Sequence, residues 1–261
     1  NLYIDINFRN WGKIRYNREK ALANGVIHSE TQEEVSAKIT YNNQTYPVDL
    51  RITGSTIDHV AHPYKWSFSV KVKDGNRIMG MKKFALLYPR ARGYLTDWIA
   101  TELLKSQDVI GLRSNYVNIR INGKDKGLYY LEERFDKGLI ENNKFREGII
   151  FRINYNGISA YNNKTIKEND ELSSQLIKLR RMVQSFLAGE INACDIFDLK
   201  KFATLYVVSD VLNQKHALLR QNMRLYFNPV TSLIEPIGRE WGYLRKETQL
   251  QTSLSIEKPN P

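Results

Sequence analysis

Residues 65–73 read Lys-Trp-Ser-Phe-Ser-Val-Lys-Val-Lys, the clearest alternation in the chain. Trp66, Phe68, Val70 and Val72 interleave with Lys65, Ser67, Ser69, Lys71 and Lys73. Successive side chains of a strand point to opposite faces, so this pattern predicts a strand with one buried face and one basic face. Working outward, Asp74-Gly75-Asn76 predicts a turn and residues 84–87 a further short strand. Upstream, residues 35–41 and 45–52 read as two strands joined at Asn42-Asn43. Leu2, Ile4, Ile6 and Phe8 alternate as in a half-buried strand, and a short helix is expected at 13–23, closed by Asn24-Gly25.

Downstream, a helix is expected at 94–106, burying Trp98, Ile99, Leu103 and Leu104. Strands at 116–121 and 127–133 flank Asn122-Gly123, a strong hairpin signal. Past Glu133 the character turns helical. A strand at 149–153 and an exposed loop at 154–169 precede an amphipathic helix at 170–188, with Asp170 as N-cap and Gly189 just past its end. Residues 196–212 read as a buried helix, and 223–227 with 233–237 as a last hairpin around Asn228-Pro229. Residues 249–261 lack a core pattern. The order predicts an α+β chain of two lobes: β-rich over 1–133, mainly helical over 134–261.

The 261 residues carry 39 Lys+Arg against 28 Asp+Glu, a formal charge of +11, and 42% are hydrophobic. That is enough apolar material for a substantial core. Nucleic acid, acidic protein, anionic lipid and nucleotide phosphate all suit such a charge, as does a merely soluble surface. The basic residues are densest over 65–92, where Asp74 is the one acid. The single Cys194 excludes a disulfide framework or a cysteine-rich zinc site. No apolar run approaches the roughly 20 residues of a membrane span, and no signal-peptide pattern is seen. Asn1 opens almost directly onto a strand pattern, so the chain reads as starting inside a longer gene product.

There is no Walker A loop, no HExxH, no GxSxG and no His/Cys cluster. His59 and His62 share a short loop; they could hold a metal, or be an ordinary surface pair. The informative constellation is 216–242, HALLRQNMRLYFNPVTSLIEPIGREWG. A buried helix leads to Asn222, a hairpin follows, and Glu240-Trp241-Gly242 closes the segment. An amide and a carboxylate on adjacent strand ends can hold Mg²⁺ against nucleotide phosphates, while a nearby polar side chain positions the attacking hydroxyl. A turn with a purely structural purpose has the same composition.

Other segments fall into an ordered series with it: Arg51-Ile52-Thr53-Gly54-Ser55, Lys65-Trp66-Ser67-Phe68, the run 80–87 (GMKKFALL), and Asn122-Gly123 followed by 127–133 (GLYYLEE). With Asn222-Met223-Arg224-Leu225-Tyr226 and Glu235-Pro236-Ile237, the series resembles the CotH kinase family, named after a spore coat protein, from the first strand to about Gly242. The resemblance implies a bilobal protein-kinase-like fold. Residues 1–133 would be the nucleotide-covering lobe and 134–261 a helical lobe, minimal or truncated, with the metal-binding hairpin. It also implies an atypical kinase that uses ATP with Mg²⁺ or Mn²⁺ to phosphorylate Ser of a coat or cell-surface protein. The compartment would be extracytoplasmic, and no nucleic-acid partner is expected. Lys65, with Lys71 as the next candidate, would contact phosphate, Arg51 would support the nucleotide, and Gly54 would let the loop approach it. Glu102 would orient the lysine, 131–134 would present backbone groups to adenine, and Asn222 with Glu240 would bind metal. The sequence departs from the family twice. Glu240 stands where an Asp is usual, beside Arg239, and Ala217 stands where a kinase base would fall. That leaves His216 and Asp210 as candidates at the acceptor hydroxyl, since an imidazole titrates near neutral pH. A catalytically impaired, pseudokinase-like scaffold is the alternative reading.

Overall fold

A computed structural model describes residues 1–28, 32–154 and 157–242; the tail read at 249–261 lies outside the described residues. The strands are β1 (Leu2–Asp5), β2 (Val35–Tyr41), β3 (Gln44–Ile52), β4 (Phe68–Val72), β5 (Lys83–Leu87), β6 (Ile110–Gly111), β7 (Ser114–Ile121), β8 (Lys124–Glu133), β9 (Ile149–Asn154), β10 (Gly157–Ala160), β11 (Arg224–Phe227) and β12 (Ile234–Gly238). The helices are α1 (Phe8–Asn24), α2 (Thr96–Lys105), α3 (Lys137–Asn142), α4 (Asn163–Lys167), α5 (Asp170–Leu187), α6 (Ala193–Ile196) and α7 (Leu199–Val211). The chain forms two compact units. The first takes Asn1–Tyr94 and Arg113–Gly138; the second takes Leu95–Leu112 and the chain from Leu139 on.

The first unit is a closed seven-stranded barrel in the order β1-β2-β3-β4-β5-β8-β7. Closure comes from a parallel pairing of β1 with β7, Leu2 opposite Ile119 and Ile4 opposite Ile121, while its other ladders are antiparallel. The inward face of the opening alternation joins Leu2, Ile4, Leu50, Phe68, Val70, Phe84, Ile119 and Leu131 in one core. Both predicted hairpin turns have left-handed centres, Asn42 (φ 49°) with Asn43 (φ 61°) and Asn122 (φ 49°) with Gly123 (φ 76°), which match the twist of the flanking strands. Helix α1 begins earlier than the sequence suggests. Asn7 accepts the Asn10 N–H at 2.8 Å as N-cap, which makes Phe8 a helical residue, 93% exposed, rather than the end of a strand.

The second unit is built on a five-stranded sheet, β10-β9-β11-β12-β6, in which β12 and β6 run parallel. Every residue of β11 and β12 is buried, as expected for strands covered on both faces. Leu225 and Phe227 pack with Leu172, Leu179 and Val183 of α5. A second cluster joins Ala100 and Leu104 of α2 with Leu205 and Val208 of α7, Ala217 and Trp241. The N-cap of α5 is Asn169, which accepts the Leu172 N–H, rather than Asp170. The expected exposed loop at 154–169 contains β10 and α4.

These findings correct the expected fold class. The protein is not a bilobal protein-kinase-like fold with a mainly helical second lobe: it is β-rich, with a closed barrel and a sheet-centred second unit. Periodicity shows that a segment is a strand but not its partner. The β1–β7 pairing and the use of two-residue β6 as an edge strand therefore left no local trace. Helix α2 shows the same limit. It buries Thr96, Asp97, Ala100, Thr101 and Leu104, and leaves Trp98, Ile99 and Leu103 about two-fifths exposed.

Candidate functional site

In the second unit the segment after α7 is held by its own polar groups. Ser209, fully buried, donates its hydroxyl to the Gln214 carbonyl, and Lys215 pairs with Asp210 at 2.7 Å. His216 opens a short 3₁₀ turn, His216–Leu218, whose Ala217 is buried in the apolar cluster. Asn222 donates its side-chain amide to the His216 carbonyl at 3.0 Å. A β-carbon on Gly242 would lie 3.4 Å from Cβ of His216 and 3.5 Å from Oε1 of Gln214. The structure thus brings together His216, Asn222 and the turn 240–242, with Asp210 tied in through Lys215.

That turn is fixed by two contacts. Trp241 donates its backbone N–H to the buried carboxylate of Asp97 on α2 at 2.8 Å, and its ring is fully buried. Glu240 takes a left-handed backbone (φ 58°) and accepts from Arg239 at 2.9 Å. Arg239 and Arg224 are both buried. Burial, then the charge of Arg239, pushes the Arg224 guanidinium below its ordinary range, while Tyr161 and Glu240 oppose that. Nothing in the sequence pointed to Asp97 or Tyr161, which lie far along the chain from the residues they meet at 224–241, and Arg224 stood out there only as part of a motif. Glu102 lies elsewhere on α2, exposed and bonded to Lys105 at 3.0 Å.

In the first unit Thr53 donates its N–H to the Ser67 carbonyl, so the loops carrying Gly54 and Lys65 face each other. Lys65 precedes β4, and its Nζ lies 3.5 Å from the Leu128 carbonyl, in space left open by Gly127 (φ 69°). Lys71 is exposed on β4. Arg51 reaches Glu34 at 3.8 Å. His59 is not a surface histidine: it is buried, 3.0 Å from the Ser67 hydroxyl, and stacked where a Gly54 side chain would be. Its imidazole is lowered to about 4, first by burial and then by the Arg92 charge. His62 instead accepts the Lys65 N–H at 3.0 Å.

Two consecutive buried glutamates end β8, and arginines meet both. Glu132 bonds Arg92 at 2.7 Å and Arg134 at 3.4 Å; Glu133 bonds Nε of Arg113 at 2.9 Å. Arg92, and Lys73 through Asp49 at 2.7 Å, are thus committed within the barrel unit, so the dense basic run over 65–92 is not one open face. Residues 131–133 pair with β5 on one side and β7 on the other, which uses their backbone groups in the ladder. Among the described residues no group of three or more His, Cys, Asp or Glu could hold a metal ion. None of the described helices is long and apolar enough to cross a membrane.

In the sheet unit an amide and an imidazole, Asn222 and His216, thus lie beside the turn 240–242. Comparison with protein families gives the class directly: a model described as CotH kinase protein matches residues 50–237. The chain belongs to the CotH kinase family. The match takes in Arg51, Gly54, Lys65, Glu102, Asp210, His216 and Asn222; Glu240 and α1 lie outside it. A search of curated proteins found no match.

Proposed function

We propose that the protein is an ATP-dependent protein kinase that phosphorylates serine hydroxyls of a coat or cell-surface protein, taking its nucleotide as the Mg²⁺ or Mn²⁺ complex. The observation that carries this reading is the convergence of Asn222, His216 and the 240–242 turn in a chain of the CotH kinase family. The donor set supports a cation that arrives on phosphate oxygens rather than a resident one. Mg²⁺ commonly takes only one or two protein oxygens in addition to substrate phosphates and water. Asn222 Oδ1 and Glu240 are the two proposed. In transfer, the serine oxygen bonds to the γ-phosphorus, the bond to the bridging oxygen of the departing ADP breaks, and the serine proton passes to His216 or Asp210. Lys65 and Arg51 are the groups proposed for phosphate, and the loop at Gly54 for close approach.

A second reading is a nucleotide-binding scaffold without transfer. Ala217, buried where a kinase base would fall, and Glu240, bonded to Arg239, favour it. Labelled ATP with Mg²⁺ or Mn²⁺ decides between them. Phosphate incorporated into the protein or an added acceptor, and abolished by Asn222→Ala, is the expected result. ATP binding without transfer under either metal overturns catalysis, and no nucleotide binding overturns both readings.

A further inference from the structure

Helix α1 sorts its charges by face. Arg18 lies on the packed side, its guanidinium 4.8 Å from the Trp66 ring centre and its Nε donating to the Val60 carbonyl. Trp66 in turn stacks on Trp11 at 5.2 Å. Arg9, Lys13 and Lys20 lie on the opposite side, where they line an open depression of about 540 Å³ with Tyr16 and Asn17. Glu33 is its one carboxylate among the described residues, and it pairs with Lys13. Glu19, the only acid within α1, is not in the lining.

Two further features mark this face as a binding surface rather than a solvated one. Gly12 sits inside the helix, where glycine is unfavourable, yet a β-carbon there would meet nothing within 4 Å. No packing contact requires the glycine; what it does is keep the depression open between the cationic side chains. Asn17 Nδ2 is buried beneath the depression without a hydrogen-bond partner. Buried donors are almost always satisfied, so an unsatisfied one beside an open depression points to an absent acceptor.

We propose that this face docks an extended acidic segment of a partner protein. The carboxylates meet Arg9, Lys13 and Lys20, the Asn17 carboxamide reads a peptide group, and Gly12 admits the partner's main chain. From Arg9 to Lys20 the helix rises about 16 Å, the reach of about five extended residues. A carboxamide presents an N–H donor and a carbonyl acceptor side by side, which a peptide group matches in reverse. Among the described residues Tyr16 is the only ring in the lining, too few for the stacking platform that single-stranded nucleic acid uses. The surface lies outside the family match, and the inference does not depend on kinase activity.

The test is fluorescence anisotropy with labelled hexaglutamate, alongside a dodecathymidine oligonucleotide and phosphatidylserine vesicles. Replacing Arg9, Lys13 and Lys20 together by Gln is expected to weaken hexaglutamate about tenfold, because three exposed charges each contribute modestly. Gly12→Gln is expected to weaken it as well while the melting temperature stays level or rises, because the substitution favours helix and fills the depression. No hexaglutamate binding, equal binding by the triple variant or by Gly12→Gln, or tighter binding of the oligonucleotide or vesicles overturns the proposal.

Discussion

Gly54 and His59 are packed so closely that a β-carbon on Gly54 would lie 2.2 Å from Cδ2 of the imidazole. Gly54 also has φ 118°, which side-chain-bearing residues rarely adopt. The loop therefore needs glycine to seat a buried ring, quite apart from any approach to phosphate. Gly54→Ala is expected to cost about 2–4 kcal/mol from the combined backbone strain and overpacking. A urea titration that leaves the midpoint unchanged would show that the ring can yield.

His59 links the same loop to acid. Its folded-state pKa is depressed from 6.5 to about 4, by burial and then by Arg92. Above about pH 6.5 the ring is neutral in both states and full stability is present. As pH falls from there towards 4, the unfolded chain takes up the proton first, so stability declines by about 3 kcal/mol over that window. Urea midpoints measured across it should fall in the wild type, and fall less in His59→Gln. Parallel curves would place the acid sensitivity elsewhere.

Lys201 and Glu235 pin α7 to β12. The ammonium lies 2.6 Å from Glu235 Oε2, Asn228 donates to the other oxygen at 2.7 Å, and Glu235 is 1% exposed. Lys201→Met leaves that buried carboxylate with a neutral donor, which is expected to cost about 3 kcal/mol. Adding Glu235→Gln removes the stranded charge and should recover much of the loss. Additive costs in the double-mutant cycle would mean that the pair is not coupled.

The barrel strands were legible in the sequence because each carries its own alternation, and Asn42-Asn43 and Asn122-Gly123 mark their turns. Barrel closure was not, because the Leu2–Ile119 pairing joins residues with no shared local pattern. The same divide runs through the site. Asn222, His216 and Glu240 could be picked out because they lie close in sequence. Asp97, which holds the Trp241 backbone, sits 144 residues away on a helix whose apolar side chains suggested a different buried face. His59 was misread because the ring is buried by folding back against Gly54 and Ser67, a packing that no periodicity reports.

Glu240 offers the sharpest discrimination of chemistry from architecture. Its carboxylate is bonded to Arg239 at 2.9 Å, and its main chain leads into the Trp241 N–H held by Asp97. Glu240→Gln keeps the size and a hydrogen-bond acceptor for Arg239 while removing the charge. If Glu240 helps to hold a nucleotide-borne cation, the wild type should bind ATP more tightly with Mg²⁺ than with a chelator. The variant should lose most of that difference while its affinity for metal-free ATP stays level or rises, as expected when a negative charge near phosphate is removed. Titration calorimetry of both proteins, with and without Mg²⁺, reads the two quantities separately. A variant that keeps the full Mg²⁺ effect would assign the carboxylate to Arg239 alone and leave Asn222 as the protein's contact to the cation.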